Sequence, residues 1–415
     1  MSAGVNDLKS QDNEIHAGFI PLTDCAPLVM VRELGLDRAE GFTLHLHREV
    51  SWANIRDKVD VGLFDCAHML APLPLAAKLG IGRATAEVIA PVALSLNGNT
   101  ITVSARLFED MTEADPASAS HSGMAAARAV AAVVKQRAAQ GLPPLTFGIV
   151  FPFSCHNYDL RAWLASAGID PDNDVNLVVI PPPLIADSLK AGRVDGFCAG
   201  EPWGSVAAAD GTGVIVATKA QLWRNSPEKV LGVRALWAER NAELMDALIR
   251  ALVRAGQWLD VPGNRIGAAK VLSEARYVGV SRHQLEKALT GGLEMGAAPD
   301  LVAGDSIVFH RHGATIPRQA HAIWILTQMI RWGQAREPFD IAAIASQVYR
   351  TDIYARALAA IGAGLDVAAD QPATEGVLAL FGSEIFDPSA PLDYLDRCAI
   401  RAPALDLSRF KGPRV

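Results

Sequence analysis

Short apolar blocks bounded by Gly, Pro, Asn and Ser alternate with longer stretches of helical spacing through the first half of the chain. That alternation predicts an α/β fold. Ile15–Ile20 reads as a strand, followed by a helix from about Ala26 to Leu34. Phe42–His47 alternates as a strand does, and Ser51 stands where an N-cap would start a helix running through Asp60. Val61–Cys66 reads as the next strand. Glu87–Leu96 and Thr100–Ser104 flank Asn97-Gly98, a hairpin signal. A second, similar series follows. It comprises a helix over Gly123–Gln140, a strand over Leu145–Val150 and a helix over Tyr158–Ala167. A strand over Val175–Ile180, a helix led in by Pro181-Pro182-Pro183 and ending near Gly192, and a strand over Val194–Ala199 complete it. Beyond about Trp223 long helices take over, at Ala242–Leu259, Ile266–Glu274, Arg282–Leu289 and Gln319–Arg331.

Two strand–helix series joined in mid-chain, with helices returning afterwards, predict two α/β lobes and a cleft between them. Small ligands bind where lobes meet at the carboxyl ends of strands. Residues 1–14 are expected to be a flexible N-terminus. Residues 15–107 together with 225–415 are expected to form one lobe, and 108–224 the other. The length of 415 residues is about twice what one core usually organises, which agrees with that division.

Composition narrows the function by exclusion. Half the residues are hydrophobic, 20% are charged, and the mean hydropathy is +0.18, too apolar for a disordered chain. The net charge is −7 and no block of Lys or Arg occurs, so direct nucleic-acid binding is not expected. The longest apolar runs, such as Met124–Val134 with Arg128 inside, fall short of a membrane span. Cys25, Cys66, Cys155, Cys198 and Cys398 are scattered and never spaced as CxxC, which fits a reducing compartment rather than a disulfide framework or a zinc site. The first 14 residues carry no basic, apolar and small-residue succession of an export signal, so cytoplasmic residence is the expectation.

The familiar catalytic signatures are missing: no GxSxG, Walker loop, HExxH, or GxGxxG after a strand. No enzyme activity, cofactor or metal is therefore expected. His45-x-His47 and His310-x-His312 would each place two imidazoles on one strand face, but without a third ligand they read as solvent-facing strands. Several turns are rich in hydrogen-bond donors instead. They lie around Trp52, around Asn97 to Thr100, at Phe151 to Asn157, at Gly200-Glu201-Pro202-Trp203, and from Trp223 to Lys229. Helix N-termini at such junctions favour anions. Taken one at a time, each also fits a blander role: Trp in a half-buried turn as packing, Asn-Gly as a turn.

In chain order these segments resemble the solute-binding proteins of nitrate and bicarbonate ABC transporters. The resemblance runs through Gly18-Phe19-Ile20-Pro21-Leu22-Thr23-Asp24-Cys25-Ala26-Pro27, Ser51-Trp52-Ala53-Asn54-Ile55-Arg56-Asp57 and Asn97-Gly98-Asn99-Thr100-Ile101-Thr102. It continues through Phe151-Pro152 with His156, Gly200-Glu201-Pro202-Trp203, Trp223 with Pro227-Glu228-Lys229, and Ile330-Arg331-Trp332-Gly333. It implies a two-lobed periplasmic-binding-protein-like fold (type II) with extra C-terminal helices. With no export signal read, the chain is more similar to the cytoplasmic nitrate/nitrite sensor branch, the NasS type. That branch implies a partner, an RNA-binding antiterminator of the NasT type, held inactive and released when nitrate or nitrite binds. The alternative is a solute-binding subunit of a nitrate or bicarbonate transporter. A third reading, an enzyme, comes from the resemblance of this lobe architecture to pyrimidine-precursor synthases for thiamine, whose His and Cys apparatus is not found here.

The resemblance implies ligand positions at Trp52, Asn99, His156, Gly200 and Lys229. Relatives often carry Gln where Asn99 stands, and Asn97 is its possible substitute. Nitrate is planar, singly charged and only accepts hydrogen bonds, so the site is expected to supply donors and avoid carboxylates. Lys229 would offer an ammonium, Asn99 its NH₂, Gly200 a backbone N–H, Trp52 an indole N–H or a flat wall, and His156 an imidazole donor. Such a lysine is expected to be removable without harm to the fold. Bicarbonate, which also donates, would want an acceptor, for which Glu201 and Glu228 are the candidates.

Overall fold

The computed structural model describes residues 13–82, 86–121, 123–295, 305–360, 378–380, 384–402 and 406–412. Most of the expected flexible N-terminus, residues 1–12, lies outside the described residues, and Glu14 is already in a strand. The strands that carry the architecture are β1 (Glu14–Phe19), β2 (Thr43–Arg48), β3 (Cys66–Leu70), β4 (Val88–Asn97) and β5 (Asn99–Ser104). They continue with β6 (Thr146–Ile149), β7 (Asn176–Val179), β8 (Gly196–Gly200), β9 (Gly213–Thr218), β10 (Pro227–Arg234) and β11 (Ile307–Val308). They form two mixed sheets, one ordered β11-β4-β10-β3-β1-β2 and the other β7-β6-β8-β5-β9. The expected two-lobed α/β organisation is present.

The first lobe boundary lies earlier than expected, while the expected return at 225 falls within the observed connection. The chain leaves the first sheet at Asn97 and enters the second at Asn99, earlier than position 107, and returns between Thr218 and Pro227. Asn97-Gly98 is therefore a crossover and not the predicted hairpin. Both residues are left-handed (φ 64° and 92°), as that dipeptide favours. Asn97 is tied into the first lobe, its Nδ2 donating to the Asp305 carbonyl (2.8 Å) and its Oδ1 accepting from the Ser226 N–H (3.1 Å). The flanks of β4 are already taken by β10 and β11, so β5 pairs with β8 and β9.

Several predicted elements appear with ends moved by a residue or two, and helices Ala242–Leu259 and Gln319–Arg331 fall where expected. The strand read at Val61–Cys66 is displaced to β3, because Gly62 (φ 77°) turns the chain and leaves Val61 and Leu63 exposed. β9 and β10 were not anticipated. β10 lies in mid-sheet and is buried almost throughout, so it shows no alternation. His45 and His47 do share a face of β2, but they stack with His16 of β1 (ring centroids 4.8 and 5.3 Å), and His47 is half-buried against Phe64. His310-x-His312 is not a strand: Arg311–Gly313 is a short 3₁₀ turn with His312 at φ 58°.

One apolar core joins residues of both sheets, such as Met69, Val230, Ile101 and Phe147, and a second packs on the first sheet. Helix Ala242–Leu259 covers the first sheet with one apolar face, burying Leu248, Ile249, Leu252 and Leu259 among others. Each such side chain contributes about 1.5–3 kcal/mol of burial. Gly256 on this helix has no room for a side chain, since a Cβ there would sit 2.6 Å from the Phe309 carbonyl oxygen. Among the described residues no helix is long and apolar enough to cross a membrane.

Candidate functional site

Where the chain crosses between sheets, polar side chains from both lobes meet in the interior. Ser51 caps the helix Trp52–Asp60, its Oγ accepting from the Asn54 N–H (3.2 Å), so Trp52 stands in the first turn. In the second lobe Ser154 caps the helix Cys155–Ser166 in the same way, accepting from Asn157 N–H at 3.1 Å, and His156 stands in its first turn. The residue pair Asn99 and Gly200 lies opposite in register at the ends of β5 and β8. Glu228 and Lys229 are neighbours on β10, yet both reach the site. The register of β10 against β4 shifts at Lys229, and a bulge of that kind turns consecutive residues the same way.

The contacts form one chain. Lys229 Nζ is 2.8 Å from Asp24 Oδ2 and 2.5 Å from Glu228 Oε1, and it sits 5.5 Å from the Trp52 ring centroid. The His68 ring packs 5.3 Å from Trp52 and its Nε2 is 2.9 Å from Asp24 Oδ1. Glu228 also takes Lys219 Nζ at 2.6 Å and Asn99 Nδ2 at 2.5 Å, and His156 Nε2 lies 3.4 Å from its Oε1. Lys219 is 3.0 Å from Asp159 Oδ2, which also accepts from Asn99 Nδ2 at 3.2 Å. A Cβ at Gly200 would lie 3.6 Å from Asp24 Oδ2, which places that backbone against the same cluster. Trp52, Asn99, His156 and Lys229 are at most 2% exposed.

All five expected positions are thus brought together, but their surroundings differ from expectation. The site does not avoid carboxylates: Asp24, Asp159 and Glu228 are in it. They are tolerated because Lys219 and Lys229 neutralise them, and a buried charge survives only when paired. Asn99 does not offer its NH₂, which Asp159 and Glu228 already engage, leaving Oδ1 without a partner among the described residues. Lys229 is not a detachable ammonium but a wholly buried ion-pair member. Asn97 belongs to the crossover, outside the cluster. Glu201 is turned away, its carboxylate accepting from Thr100 Oγ1 (2.8 Å) and from the Ser205 backbone N–H (3.1 Å) and hydroxyl.

Ionisation follows from this packing. Burial pushes Asp24 upward, but Lys229 and His68 outweigh it and hold the carboxyl at about 2. Burial would likewise raise Glu228, and the field of His156, Lys219 and Lys229 overrides it downward. Burial raises Asp159 to about 6, with Lys219 offsetting only part. Burial opposes charge on both lysines; Asp159 and Glu228 raise Lys219, while Asp24 and Glu228 raise Lys229. His156 is lowered to about 3 by desolvation, and His68 is lowered for the same reason. Both imidazoles are therefore neutral near pH 7.

Some donors of the cluster remain available. An ammonium has three N–H bonds, and Asp24 and Glu228 account for two of those on Lys229. All the polar contacts of Lys219 are with Asp159, Glu228 and the Pro227 carbonyl, which makes it structural. The Trp52 Nε1 and the His156 Nδ1 are buried with no hydrogen-bond partner among the described residues. Two capped helix N-termini, an ammonium N–H, an indole N–H and an imidazole can hold a small anion. Among the described residues no group of His, Cys, Asp and Glu is placed to hold a metal.

Asp24 lies inside a segment that carries the resemblance but was not read as a site member, and Glu228 was read only as an acceptor for bicarbonate. His156-x-x-Asp159 was a legible signal, since residues three apart share a helix face. His68 and Lys219 gave none: one lies within a buried strand, the other in a four-residue helix.

The NMT1-like family pattern matches residues 8–273. The chain is 34% identical over 390 residues to the nitrate import ATP-binding protein NrtC of Synechocystis sp., covering 92% of this chain and 55% of that one. It therefore spans about half the length of that relative. It is 32% identical to the nitrate/nitrite binding protein NrtA of Synechococcus elongatus, over 93% of this chain and 86% of the relative. The crystal structure of the periplasmic nitrate-binding protein NrtA from Synechocystis PCC 6803 superposes with a TM-score of 0.84 at 28% identity, covering 94% of this chain and 99% of that one. The fold is the two-lobed periplasmic-binding-protein-like fold.

Proposed function

The chain belongs to the NMT1-like family, and from that premise we propose that it is a nitrate/nitrite-binding protein, the ligand-capturing component of an uptake system. The observation that carries this reading is the convergence of Trp52, Asn99, His156, Gly200 and Lys229 on one buried cluster at the lobe crossover. The free N–H of Lys229, the indole Nε1 and His156 are donors suited to a planar oxyanion. Charge-assisted hydrogen bonds contribute about 1.5–3 kcal/mol each, so a few of them reach micromolar affinity after ordering costs. The paired carboxylates act as supports that aim Lys229 rather than as ligands.

Calorimetric titration with nitrate, nitrite and bicarbonate, with and without calcium, tests the reading. Binding of nitrate or nitrite without calcium is expected. Binding of bicarbonate alone would replace the proposed ligand.

The sensor role is a narrower proposal that rests on the resemblance of the sequence alone. It places the chain in the cytoplasm with an RNA-binding antiterminator of the NasT type bound to it. The relatives' names speak for import, so transport comes first. Co-purification of such a partner, released by nitrate, would put the sensor reading ahead.

A further inference from the structure

The helix Cys155–Ser166 works on two faces. His156 and Asp159, three residues apart, face the charged cluster, while Tyr158 and Arg161, also three apart, face the C-terminal part of the chain. There Tyr158 donates its hydroxyl to Gln334 Oε1 (2.7 Å), and Gln334 Nε2 donates to the Pro152 carbonyl (3.0 Å). The Arg161 guanidinium lies 5.2 Å from the Trp332 ring, and Tyr158 meets Trp324 edge-on at 6.4 Å. The same C-terminal segment is fastened to the first lobe. Helix Ile341–Val348 packs on helix Pro72–Lys78 and on β4, Tyr349 donates to the Ala71 carbonyl (3.1 Å), and the Arg350 N–H donates to the Ala90 carbonyl (3.2 Å). Residues 319–350 thus form a strap from one lobe to the other that is separate from the two chain crossovers. Because Lys229 and His156 are fully buried, a solute reaches them only when packed elements part, and the helix Cys155–Ser166 is one of those elements.

We infer that this strap is a latch on the anion site, with Gln334 as the positioning residue that holds the His156-bearing helix in place. Its amide makes both hydrogen bonds to the second lobe, one to the helix and one to the loop that leads into it. Tyr158 and His156 sit on one helix, so a movement that parts this helix from the strap strains or breaks the Tyr158–Gln334 bond. The latch concerns the site to which the functional reading assigns nitrate, and only the kinetic arm of its test rests on that reading.

The test uses the full chain with Gln334→Ala, and Tyr158→Phe as a second variant. Hydrogen exchange in the absence of any anion is expected to speed up about tenfold for amides of Cys155–Ser166, as loss of two net hydrogen bonds implies, while β3 and β10 stay unchanged. The double variant should add little to Gln334→Ala, because the two residues share one contact. With nitrate as probe, stopped-flow association and dissociation rates should both rise several-fold while the dissociation constant moves less than either. Unchanged exchange in that helix, or an equal rise throughout the molecule, would overturn the latch. If nitrate binds neither wild type nor variant, the functional reading fails and the exchange experiment alone decides the latch.

Discussion

Acidification is expected to tighten anion binding, and His156 is the reason. In this structure desolvation holds its imidazole at about 3, so the ring is neutral at pH 7.5. An anion about 4 Å from the protonated ring would gain about 4 kcal/mol at an effective dielectric of about 20, or roughly 3 pKa units. With anion bound the ring should therefore titrate near pH 6. The sign follows directly: the proton is held more tightly in the complex, so affinity rises as pH falls through about 6 and levels off near the free value of about 3. Between pH 7.5 and pH 5 this amounts to about a tenfold gain.

The neighbours do not reverse it. Asp159, at about 6, is pushed further up by a second negative charge and acts in the same direction. Asp24 and Glu228 are held below that window, Lys219 and Lys229 above it, and His68 is lowered. Calorimetry at the two pH values, in buffers of different ionisation enthalpy, would read both the affinity and the proton taken up. His156→Gln should reduce that uptake. Affinity that is constant or weaker at pH 5 would refute the reasoning.

Lys229→Ala should abolish anion binding and also destabilise the fold by about 3–5 kcal/mol, since Asp24 and Glu228 lose a buried counter-charge; denaturant unfolding measures the second effect. Gly256→Ala is expected to cost about 1–3 kcal/mol with anion affinity unchanged, because its Cβ would press on the carbonyl of Phe309, which packs in a different core from Trp52; a thermal melt with a titration checks both. Ser154→Ala removes the cap of the His156 helix and should cost about 1 kcal/mol, with faster amide exchange confined to its first turn.

Much of the architecture was legible in the residues. Ser51 announced its helix, and the run from Ala242 to Leu259 has helical spacing throughout, so local pattern and final structure agree there. β10 was illegible for a physical reason: a strand buried on both faces loses the alternation that identifies a strand, and Pro227 at its start looks like turn chemistry. Asn97-Gly98 misled because its left-handed backbone serves a hairpin or a crossover equally well, and only the strands already flanking β4 decide between them. In the site, Trp52, Asn99, His156, Gly200 and Lys229 came from the family resemblance that the turn segments carry, not from the turns taken singly. The counter-charges came from Lys219, in a short helix of the other lobe, and from Asp159. No local pattern tells that Glu228 will be paired with a lysine nine residues before it.

The most direct measurement is a structure of the protein with nitrate bound. The account predicts a planar anion at the crossover between the sheets, within hydrogen-bond distance of Lys229 Nζ, Trp52 Nε1 and the His156 ring, with Asp24 and Glu228 still paired to lysine. An anion bound elsewhere, or one held only through Asn99 and Gly200 while Lys229 keeps all its donors on carboxylates, would contradict it.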